Sequence, residues 1–200
     1  MTASVYRPRE IDTDRGSYGE EPVEVFDDRG MRTQPAREIN GRSIINIDTG
    51  ERIGTLADLL IDPESMRVAA ITVSSGTRSG LESLLTRERD MEAISADSVQ
   101  VWGKDVILAR HPDRMIGSNA PDREKWINVS DQIRNRYVVS IDGTRVGQVE
   151  DVMIDSEGRI VAYELSQVFV EGPLSESKRI PVGATHSLGR DVLIVDMSRF

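Results

Sequence analysis

Residues 39–48, INGRSIINID, return as IRNRYVVSID at residues 133–142, an offset of 94. Thr49 is an extra turn residue in the first copy. Beyond it residues 52–62, RIGTLADLLID, lie over residues 145–155, RVGQVEDVMID, at an offset of 93. From residue 39 to residue 73, leaving out Thr49, 13 of 34 paired positions are identical. The copies meet again at an offset of 86, where GKDVIL at residues 103–108 matches GRDVLI at residues 189–194. Self-similarity of this kind means that one folding unit is used twice. At about 70 residues each, the copies sit near the lower limit for independent folding.

Within each copy the elements read as short strands. First strands fall at residues 44–47 and 137–141, second strands at 53–61 and 146–154, third strands at 67–73 and 160–165, and final strands at 106–109 and 192–195. Asp48-Thr49-Gly50 and Asp142-Gly143 separate the first two strands. Asp-Gly between apolar runs is a hairpin signal, which predicts positive φ at both central turn residues. Asp62 and Asp155 lead second tight turns, where an Asp side chain accepts from the backbone two residues on. Many short strands with tight turns and no helix–strand alternation predict an all-β chain of two tandem small antiparallel barrels.

The fall in offset from 93 to 86 places seven extra residues in the first copy, between its third and fourth strands. There Ser79 to Glu82 form a capping-box pattern, and Leu81, Leu84, Leu85 and Met91 follow at roughly helical spacing. This predicts one short helix in the first copy. Its counterpart, residues 167–174, reads as a strand end and a loop.

Around the repeats, residues 1–37 hold 8 acids and 6 Arg with few apolar residues, which predicts a charged, mostly disordered tail with room for one short strand at residues 23–26. Residues 111–132 carry Pro112, Gly117 and Pro121 and read as a linker. The expected organisation is therefore a tail over 1–37, a first barrel over 38–110, a linker over 111–132 and a second barrel over 133–200. The 200 residues carry 34 acids against 25 Lys and Arg, a net charge of −9, and no Cys. Without Cys there is no disulfide scaffold, thiolate chemistry or thiolate-held metal. Direct nucleic-acid binding is disfavoured, because every segment is mildly acidic and phosphate-backbone binding needs clustered bases. The longest apolar runs are four residues and the first residues hold no apolar signal core, so the expectation is a cytoplasmic protein with no membrane insertion.

The succession of strand, Asp-Gly-type turn, Arg-Ile/Val-Gly, apolar strand with an internal Asp, Asp-led turn and closing Gly-Arg-Asp-Val resembles the PRC-barrel family. Arg145 to Gly147, Asp151 to Asp155 and Ile180 to Val182 carry the resemblance in the second copy, and Arg52 to Val73 in the first. The first copy departs from it at Ile94-Ser95-Ala96, where the second has Ile180-Pro181-Val182. The pattern covers roughly 140 of the 200 residues. In that family the domain forms the cytoplasmic part of the photosynthetic reaction-centre H subunit and the C-terminal domain of a 16S-rRNA-processing ribosome maturation factor. The resemblance implies a non-enzymatic adaptor that binds a protein partner, as a homodimer or as an internal pseudo-dimer. Its alternatives are a ribosome-maturation-like factor that binds a ribosomal protein and a peripheral subunit of a photosynthetic or respiratory electron-transfer complex.

Candidate chemistry is thin. Asp58 and Asp151 recur inside apolar strands, and by strand alternation Asp58 shares a face with Leu56 and Leu60, and Asp151 with Val149 and Met153. A carboxylate so placed is either a proton-relay group or a ligand for backbone N–H groups at a bulge, and repetition in both copies favours the second. Asp62, Glu64, Asp155 and Glu157 lack the remaining ligands of a calcium loop. His111 and His186 have no partners in a triad or zinc pattern, and Gly50 to Gly54 lacks the Lys-Ser/Thr of a phosphate loop. No catalytic residue, cofactor or metal is expected. Asp48, Arg52, Gly54, Asp58, Asp62, Asp142, Arg145, Gly147, Asp151 and Asp155 are expected to serve the fold. The candidate interface residues are Leu81, Leu84, Leu85, Met91, Trp126, Val168, Phe169 and Val170, apolar residues where the copies diverge or where the linker runs.

Overall fold

The computed structural model describes residues 25–26, 29–74, 92–110, 115–116, 123–189 and 191–199. Its elements run β1 (Val25–Phe26), β2 (Arg32–Pro35), α1 (Ala36–Ile39), β3 (Ser43–Asn46), β4 (Arg52–Asp62), β5 (Arg67–Ser74), β6 (Glu92–Ser95), β7 (Val99–Trp102), β8 (Val106–Ala109) and β9 (Met115–Ile116). The chain continues through β10 (Ile127–Asn128), β11 (Tyr137–Ser140), β12 (Arg145–Asp155), β13 (Ile160–Val168), α2 (Pro173–Ser177), β14 (Arg179–Pro181), β15 (Thr185–Leu188) and β16 (Val192–Val195). The fold is mostly β, in two sheets of matching topology. One sheet has the order β7-β8-β3-β4-β5-β6-β9, with β10 also on β4. The other has β1-β2-β12-β11-β16-β15, with β13 on β12 and β14 on β13.

Pairing is antiparallel except at one place in each sheet, where β3 runs parallel to β8 and β11 parallel to β16. The expected small antiparallel barrels thus carry one parallel pairing each. A 3₁₀ turn, Ala96–Ser98 in the first copy and Val182–Ala184 in the second, carries the chain onward as a corner between strands. The following hairpin therefore brings the last strand back alongside the first in the same direction.

Glycine marks two close approaches. A Cβ on Gly54 would lie 2.5 Å from Val73 Cγ1 and 2.9 Å from the Ser74 carbonyl oxygen. One on Gly147 would lie 2.4 Å from the Gln167 carbonyl oxygen. The hairpin turns place positive φ on Gly50 and Gly143 alone, so the expectation of two such residues per turn is corrected. Gly143 N–H bonds the Ser140 carbonyl at 2.9 Å, closing a three-bond turn in which only the final residue must be left-handed.

The third strands sit one residue away from where the identities suggest. Ile61 pairs Val68 and Ile154 pairs Ile160, an offset of 92, because the first copy has a longer turn with Met66 at φ 53 where the second has Gly158 at φ 73. In the second copy, α2 occupies part of the stretch read as a loop. Pro173 opens it and left-handed Lys178 ends it. The helix expected around Leu81 to Met91 lies outside the described residues.

The segments between and before the copies are not spacers. β2, inside the expected tail, pairs with β12 of the second copy. β10, inside the expected linker, pairs with β4 of the first copy. Each flanking strand thus completes the sheet of the other copy. Too few apolar residues surround β2 to form a core of their own, but an unpaired edge on the opposite long strand supplies backbone partners. A single turn follows each exchanged strand: four-residue α1 in the first copy, and a five-residue π-turn, Val129–Ile133, in the second. Asn40 N–H bonds the Ala36 carbonyl, and Arg134 N–H bonds the Val129 carbonyl, so the wider turn absorbs the extra residue and brings Ile39 and Ile133 to equivalent places. Both isoleucines are fully buried in one apolar cluster that includes residues of both copies.

The contact between copies continues at their second turns. Val68 N–H bonds the Gly158 carbonyl at 2.9 Å, and Ile160 N–H bonds the Met66 carbonyl at 3.1 Å. Trp102 of β7 packs over Gly158, where a Cβ would lie 3.1 Å from the ring.

Candidate functional site

A register slip follows Leu56 in β4 and Val149 in β12, and Asp58 and Asp151 stand directly after these bulges. The bulge reverses the alternation expected from period 2. Leu56, Leu59 and Ile61 enter the main cluster, whereas Leu60 turns to a separate one with Ala70 and Ala93.

Asp58 Oδ1 accepts the Leu59 N–H at 2.8 Å and Oδ2 accepts the Ser130 N–H at 3.2 Å. Asp151 Oδ1 accepts the Val152 N–H at 2.9 Å and Oδ2 accepts the Arg37 N–H at 2.7 Å. Ser130 and Arg37 occupy matching positions in the exchanged turns. Each buried aspartate therefore holds its own bulge with one oxygen and the other copy's incoming turn with the second. The surroundings differ in charge. Arg134 Nε donates to Asp151 at 3.2 Å, and Arg37 bridges Asp151 at 3.6 Å and Glu164 at 2.6 Å. Asp58 has no such ion pair among the described residues, and burial pushes its carboxyl up despite the Leu59 and Ser130 N–H bonds. Every carboxylate oxygen of the pair is occupied by a backbone donor, an arrangement suited to positioning chain.

Two further recurrent residues act from inside. Arg42 donates to the Gly103 carbonyl and Arg136 to the Gly189 carbonyl, and burial pulls both guanidiniums below their ordinary value. Each ties the start of its copy to the turn before the final strand. The Asp-led turns accept locally. Asp62 takes the Glu64 N–H at 3.0 Å and the Ser65 hydroxyl at 2.6 Å, and Asp155 takes the Glu157 and Arg159 N–H groups at 2.8 and 2.9 Å. Asp142 accepts the Thr144 N–H at 3.0 Å, whereas Asp48 meets Arg110 at 3.3 Å.

The expected interface residues separate. Leu81, Leu84, Leu85 and Met91 lie outside the described residues. Trp126 is half-buried against Leu60, Ala70 and Ala93, and Val168 and Val170 pack onto the main cluster. Phe169 alone of these stands out, 48% exposed. The structure brings it to two residues that inspection for apolar runs passes over. The Arg145 guanidinium lies 4.0 Å from the Tyr137 ring centre and 5.8 Å from that of Phe169. Tyr137 and Arg145 come together across the β11–β12 hairpin, and the Phe169 N–H bonds the Val146 carbonyl at 2.8 Å. The first copy has Ser43 in place of Tyr137, and its Arg52 bonds Thr55 at 2.7 Å. On the same outward side, Val139, Val192 and Ile194 are half-buried and Ile141 is exposed.

Among the described residues no group of three or more His, Cys, Asp or Glu side chains is arranged to hold a metal. No helix among them is long and apolar enough to cross a membrane.

No curated protein matches the chain. The family model for the PRC-barrel domain matches it twice, at residues 31–114 and 130–199, and the first match begins early enough to take in the exchanged strand β2. Two sheets of matching topology, the repeated bulge aspartates and this double match together make the chain a member of the PRC-barrel domain family, carrying the domain in tandem.

Proposed function

We propose that the chain is a non-enzymatic adaptor that docks a partner protein against the Tyr137–Arg145–Phe169 patch of its second copy. The observation that carries this reading is the exposure of two aromatic rings beside an arginine held over them. Tyr, Phe and Arg are enriched at protein interfaces, where flat rings contribute area at small entropic cost and a guanidinium recognises a carboxylate. The aromatic residues of the patch are peculiar to one copy, whereas Arg145 recurs as Arg52, so the fold does not require the rings. The family's fold is generally a protein-interaction one, which agrees with this use. The partner that fits offers an apolar pocket for Phe169 and an acidic residue for Arg145.

The test compares the immobilised full chain with its Tyr137→Ala/Phe169→Ala double variant in capture from a native extract, followed by purification of the captured protein and titration against both forms. The reading expects a single reproducible partner whose affinity falls at least about tenfold in the variant, with the thermal midpoint unchanged. Equal affinity for both forms, or no reproducible partner, overturns it.

A further inference from the structure

The two copies treat one face of their sheets differently. In the first, Leu60, Ala70 and Ala93 form a small apolar cluster and Trp126 packs against it. Strand pairing identifies the counterparts. Leu60↔Ala70 corresponds to Met153↔Ala162, and Ala70↔Ser95 to Ala162↔Pro181, which puts Arg179 in the place of Ala93. Ile127↔Ile61 corresponds to Gln34↔Ile154, which puts Thr33 in the place of Trp126. The indole that covers the first copy is thus a threonine in the second, and the face opens as a cleft of about 900 Å³.

Its chemistry is unlike the rest of this acidic chain. Among the described residues, Arg29, Arg67, Arg159, Arg179 and Arg199 line it, and no carboxylate side chain does. Four of these guanidiniums touch carboxylates outside the lining: Arg29 meets Asp155 and, at 3.9 Å, Glu157, Arg159 meets Glu157 at 2.6 Å, Arg179 meets Glu164 at 3.7 Å and Arg199 meets Asp196 at 3.2 Å. Arg67 donates to the Glu157 carbonyl at 3.4 Å. A guanidinium carries five N–H donors, so the single carboxylate at Arg159, Arg179 or Arg199 leaves donors for another. The arginines come from the N-terminal flank, the first copy and the second: the exchanged strand β2 brings Arg29, and the contact between the second turns brings Arg67 beside Arg159.

We propose that this cleft binds an acidic linear segment of a partner protein, seating one large apolar side chain on half-buried Ala162, with buried Met153 beneath, where Trp126 covers Ala70 and Leu60 in the first copy, and with flanking carboxylates against the arginines. Methionine adapts to irregular apolar shapes, which suits such a seat. A long polyanion is the poorer fit, because the chain's overall −9 repels it beyond the cleft and it offers nothing to the apolar floor. The proposal rests on the protein-interaction reading but uses a face separate from Tyr137 and Phe169.

The probe is a fluorescein-labelled peptide with one tryptophan between two runs of four glutamates, titrated with the full chain and followed by anisotropy. The expected result is saturable binding that falls at least about tenfold when glutamine replaces glutamate, and also when serine replaces tryptophan. Thr33→Trp, which restores the covered arrangement of the first copy, is expected to abolish it. Because a strand substitution can disturb folding, Arg67→Glu/Arg199→Glu serves as a second variant, expected to weaken binding at least about tenfold with unchanged circular dichroism. Tyr137→Ala/Phe169→Ala is expected to bind the peptide like wild type, so failure of the patch and failure of the cleft are read separately. The proposal is overturned by absence of binding, by equal binding to the folded charge-reversed variant, by loss of the peptide on removing the aromatic patch, or by a single-stranded DNA oligonucleotide that binds more tightly than the peptide through the same arginines.

Discussion

The amide of Arg37 donates to Oδ2 of Asp151, a residue 114 positions later, at 2.7 Å. This bond joins the turn that opens the first copy to the bulge of the second, and Ser130 and Asp58 repeat it in the other direction. The tandem chain is therefore woven, with each half completed by a segment leading into the other. Asp151 is fully buried with Arg134 and Arg37 as ion partners, whereas Asp58 has no ion pair among the described residues and is held by the Leu59 and Ser130 N–H groups and the Ser130 side chain. Removing the Asp151 charge strands the Arg134 guanidinium, which has no other ion pair among the described residues, whereas Arg37 keeps Glu164. Asp151→Asn is accordingly expected to lower unfolding free energy by about 3 kcal/mol, and Asp58→Asn by about 1 kcal/mol. Urea denaturation at neutral pH measures both, and equal losses would contradict the difference in pairing.

The same contrast has a pH signature of opposite sign from Asp62. Burial raises the Asp58 carboxyl above the ordinary range, so the folded chain keeps that proton after the unfolded chain has released it. That contribution is complete below the unfolded value, about pH 4, and is lost as pH rises through the folded one. Asp62 is held low, chiefly by the Ser65 hydroxyl, so its contribution is present at neutral pH and lost as pH falls through its folded value. Relative to wild type, Asp58→Asn is expected to cost less at pH 7 than near pH 4, and Asp62→Asn to cost more. Denaturation midpoints of the two variants and wild type at both pH values check this, and a shared sign would show that the two carboxyls are not perturbed in opposite directions.

What could be read from the residues followed from how local each feature is. The strands of both copies and the family pattern are written in alternation, turn residues and self-similarity, all of which act over a few neighbours or over one repeat. The bulges at Asp58 and Asp151 were visible only as an acid in an apolar strand. The reversal of facing that sends Leu60 and Met153 away from the main cluster depends on one unpaired residue that alternation cannot locate. The exchange of β2 and β10 left little trace, since residues 32–35 and 127–128 are joined to the opposite copy by backbone bonds that any side chain permits. The arginine cleft depends on that exchange for Arg29 and on the contact between the second turns for Arg67. The Tyr137–Arg145–Phe169 patch needed three segments to meet; only Phe169 reads locally as an interface residue, and Arg145 reads as one that serves the fold.

Deleting residues 1–35 tests the exchange directly. β2 pairs with Met153 to Asp155 of β12, in the second copy, and makes no pairing with the first copy's sheet. If the segment were only a tail, its loss would leave hydrogen exchange unaltered in both copies. The expected outcome is faster exchange concentrated at residues 151–155, with residues 67–74 of β5 changed far less, because local opening follows the loss of an edge partner. Faster exchange confined to the first copy would refute the pairing.

Glycine substitutions discriminate between a position fixed by packing and one that is merely near the site. At Gly147 the added methyl meets the Gln167 carbonyl oxygen at 2.4 Å and Leu165 Cδ1 at 3.0 Å, and the first of these is backbone held in the β12–β13 ladder. At Gly54 the nearest atom is Val73 Cγ1 at 2.5 Å, on a side chain with little rotamer freedom, with the Ser74 carbonyl at 2.9 Å behind it. Gly183, beside the arginine cleft, has nothing within 4 Å of its added methyl and no positive φ. Overpacking against fixed backbone costs about 2 to 3 kcal/mol, whereas an unstrained Gly→Ala change in an open position gains about 0.5 kcal/mol from the unfolded chain. Gly147→Ala is therefore expected to be the most damaging, Gly54→Ala slightly less so, and Gly183→Ala neutral to mildly stabilising. Thermal melts of the three variants order them, and a Gly147→Ala protein as stable as wild type would mean that β12 and β13 do not approach this closely in solution.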